Sequence, residues 1–252
     1  MSLIKKFLRC VCIKIIHFIL SLFSYPLEIE KKRYSFKYQN LSIFVKTSSL
    51  LTYRRWVAFQ NHGKEKDTLN WIDSFEDEKI FYDIGANVGV FSIYANIKKK
   101  MKVYSFEPEP NSFIELYNTI VLNNLNIVPL KIALDFDENT KYFNMIDFES
   151  GISESFLSDK IEKKTNFLIS TNSLDKVISQ KKIKFPNYIK IDVDGNEMNI
   201  LKGMSKTLEN KELKSMLVEI EKTNKENILN YLKNFSFKLE SKSDNGNYIF
   251  KR

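Results

Sequence analysis

Two short apolar segments, each ending in a turn or a charged residue, constrain this chain more than any other feature. The first, 81–89, reads as a buried strand that runs through a glycine turn into a helix over 90–97. The second, 103–108, reads as another buried strand, and it ends on Glu107, 22 positions after Gly85. Doubly wound α/β folds bind adenosine-containing ligands where parallel strands end in this way. We therefore expect such a fold, with Glu107 accepting hydrogen bonds from two ribose hydroxyls.

The glycine turn indicates which adenosine ligand fits. A dinucleotide fingerprint has the spacing G-x-G-x-x-G, which brings a pyrophosphate onto a helix N-terminus. Here the spacing is G-x-x-x-G, and Asn87 stands where the backbone would have to approach the pyrophosphate. Asp83 adds a negative charge at the strand end, which would repel phosphate and suit a ligand that carries an ammonium and a sulfonium. The turn therefore favours S-adenosylmethionine over NAD.

Three blocks of the sequence resemble the FkbM-type methyltransferases, namely 83–92, 106–113 and 189–197, the last closing with 201–203. The spacing between the blocks also fits, and the similarity extends from about residue 64 to residue 221. Asp194 departs from the family, which more often has Glu at that place. The resemblance implies a class I methyltransferase (Rossmann-like) α/β fold, with a mostly parallel seven-stranded sheet and an antiparallel edge pair. It also implies O-methylation of hydroxyls, often on sugars or secondary metabolites.

The resemblance further implies where the cofactor S-adenosylmethionine binds. The first block supplies a strand end and a glycine turn, and the second supplies an acidic residue. In class I enzymes the end of the third core strand holds the adenine, between apolar contacts and an acceptor for its amino group; that place is here 133–135. The expected cofactor-binding residues are Asp83, Gly85, Ala86, Asn87, Gly89, Glu107, Ala133, Asp135 and Asp192.

Methylation of a hydroxyl also needs a base to remove its proton. Asp192 is the first choice, because it follows a strand that ends beside the expected methyl group, although it could instead orient the amino group of the methionine moiety. His62 has the more suitable intrinsic pKa. Glu197 and Glu219 are further alternatives.

The segment ahead of the first core strand usually covers the acceptor pocket in this fold. Arg54 or Arg55 could bind a carboxylate or phosphate of the acceptor, but a solvated surface pair is the alternative, and Trp56 also suits the core. The turn over 150–153 would lie beside the acceptor as well. The candidates for acceptor contact are Tyr53, Arg54, Arg55, Trp56 and His62.

Length and composition fit one catalytic domain with an N-terminal extension. With 252 residues and 43% hydrophobic residues, the chain can bury a full α/β core. We expect an amphipathic helix over 1–24, a covering region over 25–78 and an S-adenosylmethionine-binding domain over 79–252. The net charge of +8 comes largely from scattered lysines, and the sequence contains no motif for methylation of nucleic-acid bases. We therefore expect no nucleic-acid partner, and a glycan or small-molecule acceptor with a free hydroxyl.

The N-terminal segment is apolar but is interrupted by basic residues. Its longest run without a formal charge, 15–27, has 13 residues, whereas a membrane-spanning helix needs about 20. The helical pattern fits an anchor at a membrane surface or a helix packed on the domain, and periodicity does not separate the two. Only Cys10 and Cys12 are present, so no disulfide framework exists and the cytoplasm is the expected compartment, either free or on the inner face of a membrane.

Other functions stay open at this point. A non-catalytic, membrane-associated scaffold could keep the same fold, and an NAD-dependent oxidoreductase would use it with a different glycine turn. Two widely separated histidines and two N-terminal cysteines argue against a zinc site, and we expect no metal. A divalent ion on Asp192, Asp194 or Glu219 is the minor alternative.

The rest of the chain follows the alternation of a doubly wound fold. Periodicity and turn residues predict helices over 50–59, 67–75, 111–123, 196–201 and 225–234. They predict strands over 126–132, 141–145, 188–193 and 216–221, a hairpin arm over 34–44 and a closing antiparallel pair over 235–240 and 248–251.

Overall fold

The computed structural model describes residues 33–38, 41–47, 49–61, 66–147, 150–151, 155–221, 223–243 and 245–252. The predicted N-terminal helix over 1–24, the turn residues 39–40 and His62 lie outside the described residues. Among the helices that are described, none has the length and apolarity needed to cross a membrane.

The described residues form strands and helices that alternate through most of the chain. In chain order they are β1 (Arg33–Tyr38), β2 (Leu41–Lys46), α1 (Leu50–Gln60), α2 (Lys66–Asp73), β3 (Ile80–Ile84), α3 (Val90–Lys99), β4 (Lys102–Phe106), α4 (Pro110–Leu122), β5 (Ile127–Leu130), β6 (Ala133–Leu134), β7 (Thr140–Met145), β8 (Phe156–Ser158), β9 (Thr165–Asn172), α5 (Leu174–Lys181), β10 (Tyr188–Ile191), α6 (Glu197–Lys202), α7 (Ser205–Glu209), β11 (Ser215–Glu219), α8 (Lys225–Lys233), β12 (Lys238–Lys242) and β13 (Asn247–Lys251).

A seven-stranded sheet with the order β12-β13-β11-β10-β3-β4-β5 forms the centre of the fold. Neighbouring strands from β11 to β5 run parallel, and β13 is antiparallel to both β11 and β12. The predicted mostly parallel sheet with an antiparallel edge pair is therefore confirmed. The chain winds from β3 outward through β4 to β5 and then returns to β10 on the other side of β3. That reversal is the switch point at which such sheets bind ligands.

Apolar side chains on both faces of the sheet explain why these strands are central. β3 and β10 are almost wholly buried, as expected for parallel strands that helices cover on both faces. One core cluster lies under α3, α4 and the β1-β2 hairpin, and includes Trp56, Phe81 and Tyr94. The other lies under α5 to α8 and includes Tyr82 and Phe106. Asp83 and Lys190 are the exceptions within these two strands, and both belong to the site described below.

The start of α4 differs from the prediction by one residue. The sequence predicts a helix over 111–123, but α4 begins at Pro110 with Glu109 as its N-cap, whose side chain accepts hydrogen bonds from the backbone N–H groups of Asn111 and Ser112. Pro110 occupies the first turn, where its missing N–H is not needed. The helix therefore begins closer to the end of β4 than the sequence suggested.

A second, four-stranded sheet with the order β6-β9-β7-β8 is inserted after β5. The sequence predicted the strand that became β7, but it predicted neither β8 nor β9. These strands are short or partly exposed, so their hydrophobic alternation is weak. The insertion matters for function because β8 lies against the cavity at the switch point.

Candidate active site

A cleft lies at the carboxyl ends of the central strands. Residues from the ends of β3, β4 and β10, from β6 and β8, and from α1 line it. Of the nine expected cofactor residues, five line this cleft: Gly85, Asn87, Glu107, Ala133 and Asp192.

Gly85 allows β3 to end directly beside β10. Its backbone has φ +76°, and a Cβ atom there would lie 1.9 Å from the carbonyl oxygen of Asp192. No side chain fits into that space. The N–H groups of Gly85 and Ala86 both donate to the carbonyl of Phe106, which joins the turn to the end of β4. The predicted sharp turn is thus present, and it brings the ends of three strands together.

Glu107 lies at the base of the cleft with its carboxylate held by backbone donors. Oε2 accepts the N–H of Asn87 at 2.6 Å, and Oε1 accepts the N–H of Glu109 at 2.8 Å. Burial raises the pKa of Glu107 to about 7, against the opposing effect of these two donors. Each oxygen keeps a further lone pair, so the carboxylate can still accept hydrogen bonds from a ligand.

The apolar part of the cleft lies beside Ala133. Ile132, Leu134 and residues of the inserted sheet line the same region, in particular Phe143, Phe156 and Leu157. Sequence reasoning missed the contribution of the inserted sheet, because the strand containing Phe156 was not predicted. Together these side chains form the apolar part of the cleft, and such a lining suits contact with a purine ring.

Four expected cofactor residues lie outside the cleft lining. Ala86 is buried in the turn, and a Cβ atom at Gly89 would lie 2.3 Å from Leu116, so Gly89 packs against α4. Asp135 pairs with Lys141 at 2.6 Å and accepts the N–H of Phe136, so its carboxylate is engaged outside the cleft lining. The fourth, Asp83, belongs to a buried cluster beneath the cleft.

Asp83 has no exposed surface and is bonded from several sides. Its Oδ1 lies 3.4 Å from the ammonium of Lys190, and its Oδ2 accepts a hydrogen bond from Ser92 at 2.6 Å. Ser92 is in turn 2.7 Å from Ser105. The alignment of the strands explains this cluster. Asp83 on β3 lies opposite Lys190 on the neighbouring strand β10 and opposite Ser105 on the neighbouring strand β4. Asp83 is therefore linked through Lys190 to Asp192, which lines the cleft.

Asp192 carries the negative charge that faces the cleft. Its side chain is 37% exposed, and Oδ2 lies 2.7 Å from the ammonium of Lys190. Burial alone would raise the pKa of Asp192, but the attraction of Lys190 and a hydrogen bond from Glu219 lower it to about 2. The same hydrogen bond and burial raise the pKa of Glu219 to about 9. The shared hydrogen bond therefore favours an ionised Asp192 and a protonated Glu219.

The turn after β10 is held by two further carboxyl groups. Asp194 lines the cleft, and its Oδ2 accepts the N–H of Ser155 at 3.0 Å. Glu197 is almost fully buried and accepts the N–H of Gly195 at 3.1 Å; burial raises the pKa of Glu197 to about 7. Neither Glu197 nor Glu219 is part of the cleft lining. Of the residues considered as a base, Asp192 alone combines a place in the lining with a described structure.

The candidates for acceptor contact separate clearly. Arg55 lines the cleft, whereas Tyr53 and Arg54 are exposed and do not. Trp56 is fully buried in the core, as the alternative interpretation expected. Lys190 was not foreseen as a functional residue. The sequence feature that could have indicated Lys190 is a charged residue inside an otherwise apolar strand. A lysine is rarely buried in such a strand unless it is paired with an opposite charge.

Within the part of the chain that the structure describes, no group of three or more His, Cys, Asp or Glu side chains is arranged to hold a metal ion.

The strand order and the site define a class of protein. A central sheet with this order, with a glycine turn after its first core strand and an acidic residue after its second, is the class I methyltransferase fold. The chain belongs to the FkbM methyltransferase family, because the family model described as the methyltransferase FkbM domain matches residues 83–239, more than half of the chain. The resemblance in the three sequence blocks is thereby confirmed.

Two curated proteins illustrate the similarity. The chain is 26% identical over 165 residues to the hexuronic acid methyltransferase AglP of Haloferax volcanii, a match that covers 66% of this chain and 65% of AglP. It is 24% identical over 153 residues to methyltransferase 1 of Beauveria bassiana, covering 52% of this chain and 60% of that protein. The chain thus spans slightly less than two thirds of either relative.

Among solved structures, the ribosomal protein L11 methylase of Lactobacillus delbrueckii subsp. bulgaricus is similar at a TM-score of 0.48 and 13% identity, covering 75% of this chain and 80% of that one.

Proposed function

We propose that the protein is an S-adenosylmethionine-dependent O-methyltransferase whose acceptor is a hydroxyl group of a sugar, within a glycan or its precursor. The observation that carries this proposal is that Glu107 and the ionised Asp192 line one cleft at the switch point of the sheet. Glu107 suits the hydroxyl groups of a ribose, and Asp192 suits a proton or a cation.

The residues of the cleft fit the proposed cofactor. Glu107 would accept hydrogen bonds from the ribose hydroxyls. The apolar part of the cleft beside Ala133 and Leu134 would receive the adenine. Four carboxyl side chains line the cleft, Glu107, Glu109, Asp192 and Asp194, against one basic side chain among the described residues, Arg55. This balance favours a ligand with a sulfonium and an ammonium, and it opposes the pyrophosphate of NAD.

When bound, S-adenosylmethionine supplies a methyl group that its sulfonium has already activated. The chain has to orient the acceptor hydroxyl, exclude water and accept the hydroxyl proton. Transfer of the methyl from sulfur to oxygen, with S-adenosylhomocysteine as the leaving group, would make the acceptor oxygen strongly acidic, so even a carboxylate with a low pKa could accept its proton. Asp192 has an exposed carboxylate that Lys190 and Glu219 keep ionised and in place. Its alternative role is to bind the ammonium of the methionine moiety.

The sugar acceptor is supported by the similarity to a hexuronic acid methyltransferase. A hexuronic acid offers both hydroxyl and carboxyl oxygens. Transfer to a carboxylate needs no base, and it would place the acceptor's negative charge next to Asp192. We therefore propose that the hydroxyl is methylated.

The proposal is tested by incubating the protein with S-adenosylmethionine labelled in its methyl group and a panel of sugar glycosides, both neutral and uronic. The expected result is a labelled methyl ether that withstands mild alkali. A label that mild alkali releases would identify an ester and contradict the hydroxyl assignment. No transfer to any sugar by protein that binds the cofactor would favour the scaffold instead.

A further inference from the structure

The cleft contains a single positive side chain among its described lining residues. Arg55 reaches it from α1, whereas the four carboxyl side chains come from the strand ends and the turns that follow them. The adjacent Arg54 is exposed and is not part of the lining. The two arginines therefore differ in position although they are neighbours in sequence.

Arg55 is held in place by hydrogen bonds between α1 and residues 150–151, which follow β7. Its Nε donates to the carbonyl of Gly151 at 2.5 Å. Ser49, the N-cap of α1, donates to the carbonyl of Ser150 at 2.8 Å, and Thr52 lies 3.2 Å from the hydroxyl of Ser150. These residues of α1 follow one another at intervals of three, so they share one face of the helix. Residues 150–151 therefore contact the same face of α1 that carries Arg55.

Two described residues of the loop that follows β7, Gly151 and Ser155, also contact α4 and the turn after β10. The N–H of Gly151 donates to Ser112 of α4 at 3.1 Å, and Ser155 donates its N–H to Asp194 after β10. Binding through Nε fixes the plane of the Arg55 guanidinium while its two terminal nitrogens remain as a fork of donors. The positive charge is close enough to influence Asp192, whose pKa is raised by burial and lowered by Lys190, Glu219 and also Arg55.

We propose that Arg55 binds a carboxylate of the acceptor, so that the acceptor class is a sugar acid whose hydroxyl is presented to Asp192. This inference rests on the proposed function. A guanidinium fork recognises a carboxylate through two parallel hydrogen bonds, which fixes the orientation of the sugar as well as its position. The opposite charges of Arg55 and Asp192 then distinguish the two ends of the acceptor, since a carboxylate is attracted by one and repelled by the other.

The methionine moiety of the cofactor carries a carboxylate of the same chemistry, so the experiment has to separate the two sources. Arg55→Gln and the matched control Arg54→Gln are compared using 4-nitrophenyl glucuronide and the corresponding neutral glucoside as acceptors. We expect Arg55→Gln to raise KM for the glucuronide by about 10- to 100-fold, the loss typical of a hydrogen-bonded charge pair. KM for the glucoside and the affinity for S-adenosylhomocysteine should stay within about 2-fold in both variants, and Arg54→Gln should resemble the wild type. Arg55→Lys keeps the charge without the fork and should restore only part of the affinity for the glucuronide.

The outcomes are distinguishable from failure of the proposed function. An equal change of KM for both acceptors, or none, overturns the inference while methyl transfer to the sugar stands. A loss of S-adenosylhomocysteine affinity in Arg55→Gln also overturns it, because Arg55 would then bind the methionine carboxylate. If neither acceptor is methylated, titration of the glucuronide into protein saturated with S-adenosylhomocysteine decides the matter. Binding that Arg55→Gln removes supports the carboxylate site, and absence of binding to the wild type overturns it.

Discussion

The ammonium of Lys190 lies 2.7 Å from the carboxylate of Asp192, so a lysine that is almost fully buried holds the charge that faces the cleft. The same ammonium lies 3.4 Å from Asp83, which is completely buried. Lys190 therefore links the buried carboxylate of Asp83 to the carboxylate of Asp192, which lines the cleft. Burying these charges is costly, and the cost is offset only while the partners remain together.

Replacing Lys190 should show how strongly the stability of the protein depends on this group of charges. Lys190→Met leaves Asp83 buried without its cation, and we expect a loss of about 3 kcal/mol or more in the free energy of unfolding near neutral pH. Urea unfolding measures it. Lys99→Met is the control, because Lys99 pairs with the exposed Asp77 and should cost less than about 1 kcal/mol. If the double variant Asp83→Asn/Lys190→Met is no more stable than Lys190→Met alone, this explanation is wrong.

Asp192→Asn separates the two roles considered for this carboxylate. If Asp192 accepts the hydroxyl proton, kcat should fall by at least about 100-fold while the affinity for S-adenosylhomocysteine is nearly unchanged. A large loss of affinity would instead assign it to the ammonium of the methionine moiety. Glu219→Gln should lose far less activity, because Glu219 is already protonated and glutamine can donate the same hydrogen bond to Asp192. Equal inactivation of the two variants would contradict this separation of roles between Asp192 and Glu219.

The close approach of β3 and β10 predicts different effects of alanine at two glycines. Gly85 and Gly195 both have positive φ, so both alanine variants share the cost of a left-handed backbone, about 1–2 kcal/mol. A Cβ atom at Gly85 would also collide with the carbonyl of Asp192, whereas nothing lies within 4 Å at Gly195. We expect Gly85→Ala to be less stable than Gly195→Ala by a further 1–3 kcal/mol, roughly the cost of overpacking. Equal melting temperatures for the two variants would refute this.

Glu197 predicts a pH-dependent difference in stability. Its pKa is raised from 4.5 to about 7 by burial, so the folded protein binds more protons than the unfolded chain between these values. The free energy of unfolding should therefore decrease as the pH rises through that interval. Glu197→Gln keeps the acceptor for Gly195 but has no proton to lose, so it should gain stability relative to the wild type, on the order of 2–3 kcal/mol by pH 8. Urea unfolding at several pH values measures the difference, and a constant difference would contradict the assignment.

Much of the fold could be predicted because the central strands are continuous apolar runs bounded by glycine, proline or charged residues. Ile80–Ile84, Lys102–Phe106 and Tyr188–Ile191 all lie where the periodicity placed them. The inserted sheet could not be predicted in the same way, because Phe156–Ser158 and Thr165–Asn172 are partly exposed and do not alternate cleanly.

The site was predictable where a backbone motif determines it and less so where side chains compete for partners. Gly85 and Glu107 follow from strand ends that must meet at one edge of the sheet. Asp135 illustrates the limit, since its pairing with Lys141 depends on a strand register that the sequence does not reveal. Neither the role of His62 nor the amphipathic helix over 1–24, at a membrane surface or packed on the domain, is tested, and both stay predictions.

Calorimetric titration with S-adenosylmethionine and S-adenosylhomocysteine, at about pH 6 and about pH 8, tests the central claim most directly. Because the pKa of Glu107 is about 7 in the free protein, its carboxylate is the better acceptor at the higher pH. We expect binding to the wild type, a loss of about 10- to 100-fold in Glu107→Gln, and disappearance of the part of the pH dependence that Glu107 contributes. Glu115→Gln is the matched control, since that buried carboxylate accepts a hydrogen bond from Thr47, does not line the cleft and should matter little for affinity. Absence of binding to the folded wild type, or equal affinity of Glu107→Gln, would contradict the account.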